Sequence, residues 1–537
     1  MTAEQSGIRY QPIRAPRSHG EVLVQPSPLN VEALLNENRA RLAAAGGRSL
    51  GFGGLDLATL RSQARAEMLR IAREHVSSYR DISNVPDSKG PVIMTGHQPA
   101  LYHPGVWFKN FLVDRIASRV QGVAINVIID NDVAPAPSIS ALSGTPSEPR
   151  PTRIAYDQPG PRVAWEMTHV ESMETLRSFA KRTAETIEPF VTHPLVTQFW
   201  PQVVQEVEAG QPLGMAFSVA RNCLEESCGL QILDVPLSKL CQTEWFCRIM
   251  GFVFTNAKHY REIYNQSVQV YRNVHKIRSA SHPVPDLEMD DNWVEVPFWV
   301  WTKENASRRR LWVSGSRSQV VLSDRAGWQI DLSCDQELPL HLQELTSQGI
   351  CVRPRALMTT TILRLVASEL FIHGIGGAKY DQVTDEINHR LLSLDPPAYV
   401  TATATAQLPI DVQPVSHDDL QAIDARLRDA EFNPDRAIDD ALEKDPSWQL
   451  LLEQKSSLLT NVPKISEKAE WHRQLQEVNS KLRSQIAEPV ARLRIEREQI
   501  AGQLHQKQLL TSREYSLLLF SKEGLRNLLL DLAEKEI

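Results

Sequence analysis

Residues 91–132, PVIMTGHQPALYHPGVWFKNFLVDRIASRVQGVAINVIIDND, constrain the fold more tightly than any other stretch of the chain. Apolar Val92, Ile93 and Met94 run into Thr95-Gly96-His97-Gln98-Pro99, where a regular strand is expected to stop. Pro104 and Gly105 then prepare a helix that sets Phe108, Phe111, Leu112 and Ile116 on one face. Val123 to Ile129 reads as the next buried strand, ending on Asp130, Asn131 and Asp132. A strand–helix–strand unit of this length almost always makes a right-handed parallel crossover. Parallel sheets bind ligands at the carboxyl ends of their strands. The Gly-His-Gln loop and the Asp-Asn-Asp tip are therefore expected to share one crevice.

Length and charge narrow the field. A chain of 537 residues exceeds one ordinary core and suggests about three or four structural units. A net charge of −7 spread over that length argues against a dedicated nucleic-acid binder and leaves room for a local basic patch, so nucleic acid is not an expected partner. Six cysteines, at positions 223, 228, 241, 247, 334 and 351, show neither a CxxC pair nor zinc-ligand spacing. They read as reduced, mostly buried thiols. The first twenty residues carry no apolar leader core, and no run of about 18 apolar residues occurs anywhere. No membrane is expected as a partner, and the expected location is the cytoplasm.

Patterning divides the chain into five segments. Residues 1–90 read as an N-terminal helical segment, with helices near Val31 to Ala45 and Asp56 to Ser77 joined at Gly46, Gly47, Gly51, Gly53 and Gly54. Residues 91–165 form the first half of the core, with a proline-rich connecting arm over 133–163. A helical insertion follows over 166–228. Residues 229–412 form the second half, with a strand at Gly229 to Pro236, helices over Leu237 to Val274 and an antiparallel meander at 293–323. Turns at Lys303-Glu304-Asn305 and Ser314-Gly315-Ser316 separate the meander runs, and Trp299, Trp301 and Trp312 on them read as packing aromatics. Residues 413–537 read as a C-terminal helical arm. There an apolar seam from Trp471 to Leu504, kinked at Pro489, would reach about 50 Å as one helix and favours a homodimer. The expected fold class is α/β: a Rossmann-like parallel sheet core, a helical insertion and a C-terminal coiled-coil or helical arm.

Several residues carry candidate chemistry. His97 can act as a general acid or base, and Gln98 can donate to phosphate or carboxylate. Asp130 and Asp132 at a strand tip suit an amine, a hydroxyl or magnesium beside a nucleotide phosphate. These two aspartates and His97 form the candidate catalytic set. Thr95, Gly96, Gln98, His103, Lys109 and Asn131 are candidate substrate- or nucleotide-binding residues around them. A second loop, at His373-Gly374-Ile375-Gly376-Gly377-Ala378-Lys379, lets backbone N–H groups approach an anion at the start of a helix expected from Ala378 to Leu392. His373, Gly374, Gly376, Gly377 and Lys379 therefore join the binding set. So does Arg353, which with Arg355 and Arg364 suits a carboxylate or phosphate, or equally a buried salt bridge to the helical insertion. No transition-metal site is expected, because no HxH or HxxxH pair occurs. No Ser-His-Asp order or nucleophile elbow appears either.

TGHQPALYHPG with its aromatic helix, Ile129-Asp130-Asn131-Asp132, Arg353-Pro354, the Gly374 to Gly377 loop and the helical C-terminus together resemble the cysteine-adding enzymes of bacillithiol biosynthesis (the BshC family). His97 stands where that family has its first loop glutamine, and Ile129 and Asn131 where it has glutamate and histidine. Residues 97–111 also resemble the HQP loop of WbqC-like proteins. The first resemblance implies a ligase adding cysteine, or another amino acid, to the amine of an amino-sugar acceptor in low-molecular-weight thiol synthesis. Amide formation from a free carboxylate needs activation, which implies ATP with magnesium. The glycine loops would hold anionic groups and the Asp130/Asp132 tip an amine. Two other readings are a nucleotidyltransferase acting on a sugar phosphate and a non-catalytic coiled-coil scaffold with a vestigial site.

Overall fold

The computed structural model describes residues 7–47, 49–52, 54–87, 89–315, 318–436 and 445–537; Gly53 and Ser316, read above as loop residues, lie outside them. The chain enters through β1 (Val22–Gln25), α1 (Val31–Gly46), a small hairpin of β2 (Ser49–Phe52) and β3 (Leu55–Asp56), and α2 (Leu57–Ser77). Asp56 caps α2 by accepting the Thr59 N–H at 2.7 Å, which fixes where that helix begins. Next come β4 (Val92–His97), α3 (Pro104–Arg119) and β5 (Val123–Ile128). The strand does not stop at Thr95. It runs on to His97, pairing Gly96 with Val127 and His97 with Ile128, because the parallel neighbour continues to supply hydrogen bonds.

The proline-rich arm at 133–163 also holds more order than expected. β6 (Ser138–Thr145) and β7 (Glu148–Ala155) form a two-stranded ribbon. Both of its strands are edges, so Pro149 and Pro151 cost no interior ladder bond. The insertion then folds as α4 (Met173–Ile187), α5 (Val196–Glu208) and α6 (Leu213–Ser227). The strand expected from Gly229 is shorter, β8 (Leu233–Pro236), and α7 (Leu237–Leu240), α8 (Glu244–Thr255) and α9 (Ala257–His275) follow it.

The meander is larger than its three expected runs. β9 (Met289–Asp290), β10 (Trp293–Thr302), β11 (Arg309–Gly315), β12 (Gln319–Ser323) and β13 (Gln329–Ser333) are joined through α10 (Leu338–Ser347) by β14 (Ile350–Pro354). These strands form a sheet ordered β13-β12-β11-β10-β14 with β9 on β10. The chain returns through α11 (Ala356–Ile362), β15 (Leu370–His373), α12 (Ile375–Leu392) and β16 (Tyr399–Ala404).

Among the described residues the central sheet has the order β1-β16-β15-β4-β5-β8. Its strands from β16 to β8 are mutually parallel, and β1 pairs antiparallel on the edge. The N-terminal segment is thus not helical alone, since β1 closes one side of the sheet. Taken in chain order, the five parallel strands lie 3-2-1-4-5. Val92, Ile93, Met94, Ile125 and Val127 are buried on them, as continuous apolar runs require when both faces are covered.

The chain forms two compact units, one of residues 1–141, 152–407 and 513–537, the other of 142–151 and 408–512. In the second, α13 (His417–Phe432), α14 (Pro446–Thr460), α15 (Lys468–Gln485) and α16 (Ala487–Leu510) pack α14 on α15 and α13 on α16. The expected long seam is not one helix. It breaks at Ile486, where the Pro489 ring lacks an N–H for the Gln485 carbonyl and clashes with it. Val478, Leu482, Ile486 and Leu493 are covered within the chain, so this unit is a bundle rather than an extended coiled coil. The arm is also shorter than 413–537. The last helix, α17 (Lys522–Lys535), buries Leu525, Leu529, Leu532 and Ala533 and packs on α3 of the first unit. Among the described residues no helix is long and apolar enough to cross a membrane.

A buried charge cluster joins the insertion to the sheet. Arg221 of α6 contacts Glu225 at 2.6 Å and also Asp234 on β8. Glu225 accepts the Trp107 indole N–H at 2.8 Å and the Asn110 amide at 2.6 Å, both from α3, while the Asn126 amide of β5 donates to Asp234 at 2.9 Å. Arg221→Met would leave two carboxylates buried without their cation, and is expected to cost about 3–5 kcal/mol. Urea unfolding checks this, and an unchanged midpoint would show that the cluster does not hold the insertion to the sheet.

Candidate functional site

A cavity of about 1140 Å³ opens at the carboxyl ends of β4, β5 and β15. The chain leaves β4 toward β5 on one side of the sheet, while β15 continues toward β16 on the other. The carboxyl ends of two such diverging strands form the crevice in which open α/β sheets bind ligands. All three expected segments line it: Gly96-His97-Gln98 from β4, Asn131-Asp132 after β5, and His373-Gly374 with Gly376, Gly377 and Lys379 after β15. His103 and Lys109 of α3 line it as well.

His97 stacks edge-on against Tyr102 with ring centroids 4.5 Å apart. Its Nδ1 lies 3.2 Å from the Gln98 carbonyl and its Nε2 3.3 Å from the Tyr102 hydroxyl. Nε2 also lies 3.4 Å from the Asn110 carbonyl oxygen, so a neutral ring donates either from Nδ1 to Gln98 or from Nε2 to Asn110, and not both. Burial, then the nearby Lys109 charge, pushes its pKa well below the usual histidine value, which favours that neutral form. Gln98 donates to Asp132 Oδ2 at 2.5 Å, and Arg308 donates to Asp132 Oδ1 at 2.9 Å. Asp132 stays 39% exposed, with lone pairs open to the cavity. Its partner Arg308 lies 4.4 Å from the Trp299 ring centre and Arg355 lies 4.1 Å from it, so Trp299 stacks guanidinium groups as well as packing.

Lys109 is a buried cation on the wall. It is only 4% exposed, and among the described residues its ammonium hydrogen-bonds the Gly96 carbonyl alone, at 3.3 Å. Burial lowers its pKa to about 8. His103 caps α3 through the Gly105 N–H at 3.1 Å, and burial lowers it to about 4. Across the cavity, α12 begins at Ile375 rather than Ala378. Gly374 serves as its N-cap and accepts the Ala378 N–H at 3.0 Å, so Gly376 and Gly377 belong to the first helical turn.

Three expected site residues lie off the cavity wall. Thr95 is fully buried and spends its hydroxyl on the Ile372 carbonyl at 2.8 Å, stitching β4 to β15. Arg353 makes a bidentate pair with Glu166, at 2.8 and 2.9 Å, which is the salt bridge to the insertion and not a ligand contact. Asp130, expected to be catalytic beside Asp132, points the other way. β5 ends at Ile128 and the chain turns there, so the strand alternation that would set residues 130 and 132 on one face is lost, and the Asp130 carboxylate accepts the Ser238 N–H and hydroxyl at the start of α7. Asn131 is buried too and donates to the Pro354 carbonyl at 2.7 Å, although it still lines the cavity.

Sequence reading missed Arg308 and Arg513, both on the wall. Arg308 sits in a run of three arginines whose strand period does not reveal which one points inward. Arg513 follows α16 and donates to Thr403 at 2.8 Å, a long-range return that carries no local signal. None of the six cysteines lines the cavity, and none is in a disulfide.

Burial first, and then the Glu166 charge, raises Asp130 to about 7 from an ordinary 3.8. The folded state therefore holds this proton more tightly than the unfolded chain, so its contribution to stability falls as pH rises from about 4 to about 7. Asp130→Asn removes that slope. Relative to wild type, the variant is expected to gain stability between about pH 4.5 and about pH 7.5 in urea titrations. A difference that stays constant with pH would rule out the protonated carboxyl. No protein-family model matches the chain, and no curated protein matches it.

Proposed function

We propose that the chain is a ligase that joins an amino acid to the amine of an amino-sugar acceptor by amide formation, on a Rossmann-type core. One observation carries this reading: the Gly96-His97-Gln98, Asn131-Asp132 and His373 to Gly377 segments meet around one cavity at the point where the strand order diverges. The 3-2-1-4-5 order of the five parallel strands supports that reading, since it matches the first five places of the 3-2-1-4-5-6 Rossmann order.

The wall suits anionic reactants and one amine. Lys109, Arg308, Arg355, Lys379 and Arg513 outnumber the carboxylates of Asp132 and Glu514. Such a surface fits phosphates and a free carboxylate, which are the charged parts of a nucleotide and an amino acid. Asp132, steadied by Gln98 and Arg308, offers an acceptor for the attacking amine. His97, held neutral on the same wall, can donate one hydrogen bond and accept another without carrying a charge. ATP is the expected activating substrate, supplying an acyl phosphate or acyl adenylate. Among the described residues no group of three His, Cys, Asp or Glu could hold a metal ion, so magnesium would enter on the nucleotide phosphates.

Purified protein with ATP, cysteine and amino-sugar acceptors is expected to yield an amide, seen by mass spectrometry as the two reactants less one water. His97→Ala with Asp132→Ala is expected to lower its rate by about 100-fold or more. Full activity in the double variant would remove these two residues from the chemistry. Pyrophosphate release with a sugar phosphate and no amide product would instead identify a nucleotidyltransferase.

A further inference from the structure

We propose that His373 is the general base of the bond-forming step, with Asp381 and Arg364 positioning its ring and Gly377 keeping its free nitrogen open to substrate. This rests on the amide-forming reading above.

His373 closes β15 and lines the cavity, one strand over from His97 at the end of β4. Its Nε2 lies 2.8 Å from Asp381 Oδ2. Asp381 is buried and ion-paired with Arg364, which also contacts Asp385 at 2.7 Å and donates to the Pro397 carbonyl. A carboxylate so committed stays ionised, since the Arg364 charge and the His373 contact outweigh its burial. It therefore keeps the ring proton on Nε2, and the lone pair falls to Nδ1. Among the described residues nothing hydrogen-bonds Nδ1. A Cβ at position 377 would stand 2.8 Å from that nitrogen, so only glycine leaves it reachable. The charged groups acting on the ring are Asp381, Arg364 and Lys109, and Tyr399 meets it edge-on at 5.0 Å. A histidine kept for packing alone needs neither an aspartate–arginine pair behind it nor a glycine in front.

The step balances without a redox partner. The amine nitrogen attacks the carbonyl carbon of the acyl phosphate or acyl adenylate and forms the C–N bond. His373 Nδ1 takes the proton from that nitrogen. The bond from carbon to the phosphate oxygen breaks, and phosphate or nucleoside monophosphate leaves with the electron pair.

The full-length protein is tested in two ways. The first needs no substrate: carbethoxylation by diethyl pyrocarbonate, mapped by mass spectrometry. His373 is expected to react in wild type, and Gly377→Ala to slow that reaction at least about tenfold by covering Nδ1. An unreactive His373, or a rate unchanged by Gly377→Ala, overturns the proposal whatever the activity. The second is steady-state amide formation. His373→Gln is expected to lower kcat about 100-fold or more while KM moves less than about threefold. Asp381→Asn is expected to lower kcat and to shift the acid limb of its pH profile downward, because the carboxylate that raises the imidazole pKa is gone. A structural role would lose folded protein and leave that limb in place. If His373→Gln does not fold, Gly377→Ala supplies the kcat comparison. Amide formation with kcat retained within about threefold in His373→Gln overturns the base and leaves the ligase reading standing. No amide from wild type, with His373 still reactive in a Gly377-dependent way, overturns the proposal through its reaction and not its residue.

Discussion

Two carboxylates and one guanidinium, Glu225, Asp234 and Arg221, sit together almost without solvent where the helical insertion meets the parallel sheet. Removing three charges from water is costly, and the arrangement persists only when each remaining lone pair finds a donor. Trp107, Asn110 and Asn126 supply those donors from α3 and β5. The same cluster thus fixes where the insertion, the first crossover helix and two strands stand relative to one another. Its reach extends to the site. Asn110, turned by Glu225, presents its carbonyl oxygen 3.4 Å from His97 Nε2, so the imidazole lies against a wall whose orientation is set by α6.

What could be read in the residues was whatever depends on neighbours in sequence. The unit from Val92 to Ile128 announces itself because buried parallel strands must be continuously apolar and the helix between them must be punctuated by Pro104. Convergence of the His97, Asp132 and Gly376 segments followed from that topology, since strand ends in one parallel sheet face one edge. The errors share a different origin. Asp130 and Asp132 look equivalent in sequence, but their side chains diverge, and Ser238 claims the first of them. Arg353 suited a ligand or a salt bridge to the insertion equally, and it is Glu166, 187 residues away, that takes both of its arms. Pairings at such separation leave no local trace.

The C-terminal segments show the same limit from the other side. An apolar period of three and four fixes that helices pack, not which helix covers the seam. Pro489 divides the run, α14 and α13 cover its halves, and the seam closes within the chain. Arg513 and Glu514 then return to the cavity wall after α13 to α16, in a segment whose pattern gave no reason to place them there.

Charge within the cavity links these parts. Lys109 depresses the pKa values of His97, His103 and His373 together, adding to the effect of their burial. Burial is the larger cause at all three imidazoles, and the one ammonium acts on each in the same direction. A phosphate or carboxylate drawn to Lys109 would cancel that influence and raise all three, by the same linkage that couples any proton to any charged ligand. An imidazole with a depressed pKa is a weak base, and its basicity recovers as its pKa climbs toward neutrality. On the proposed ligase reading, an anion seated beside Lys109 would strengthen these proton acceptors as substrate arrives.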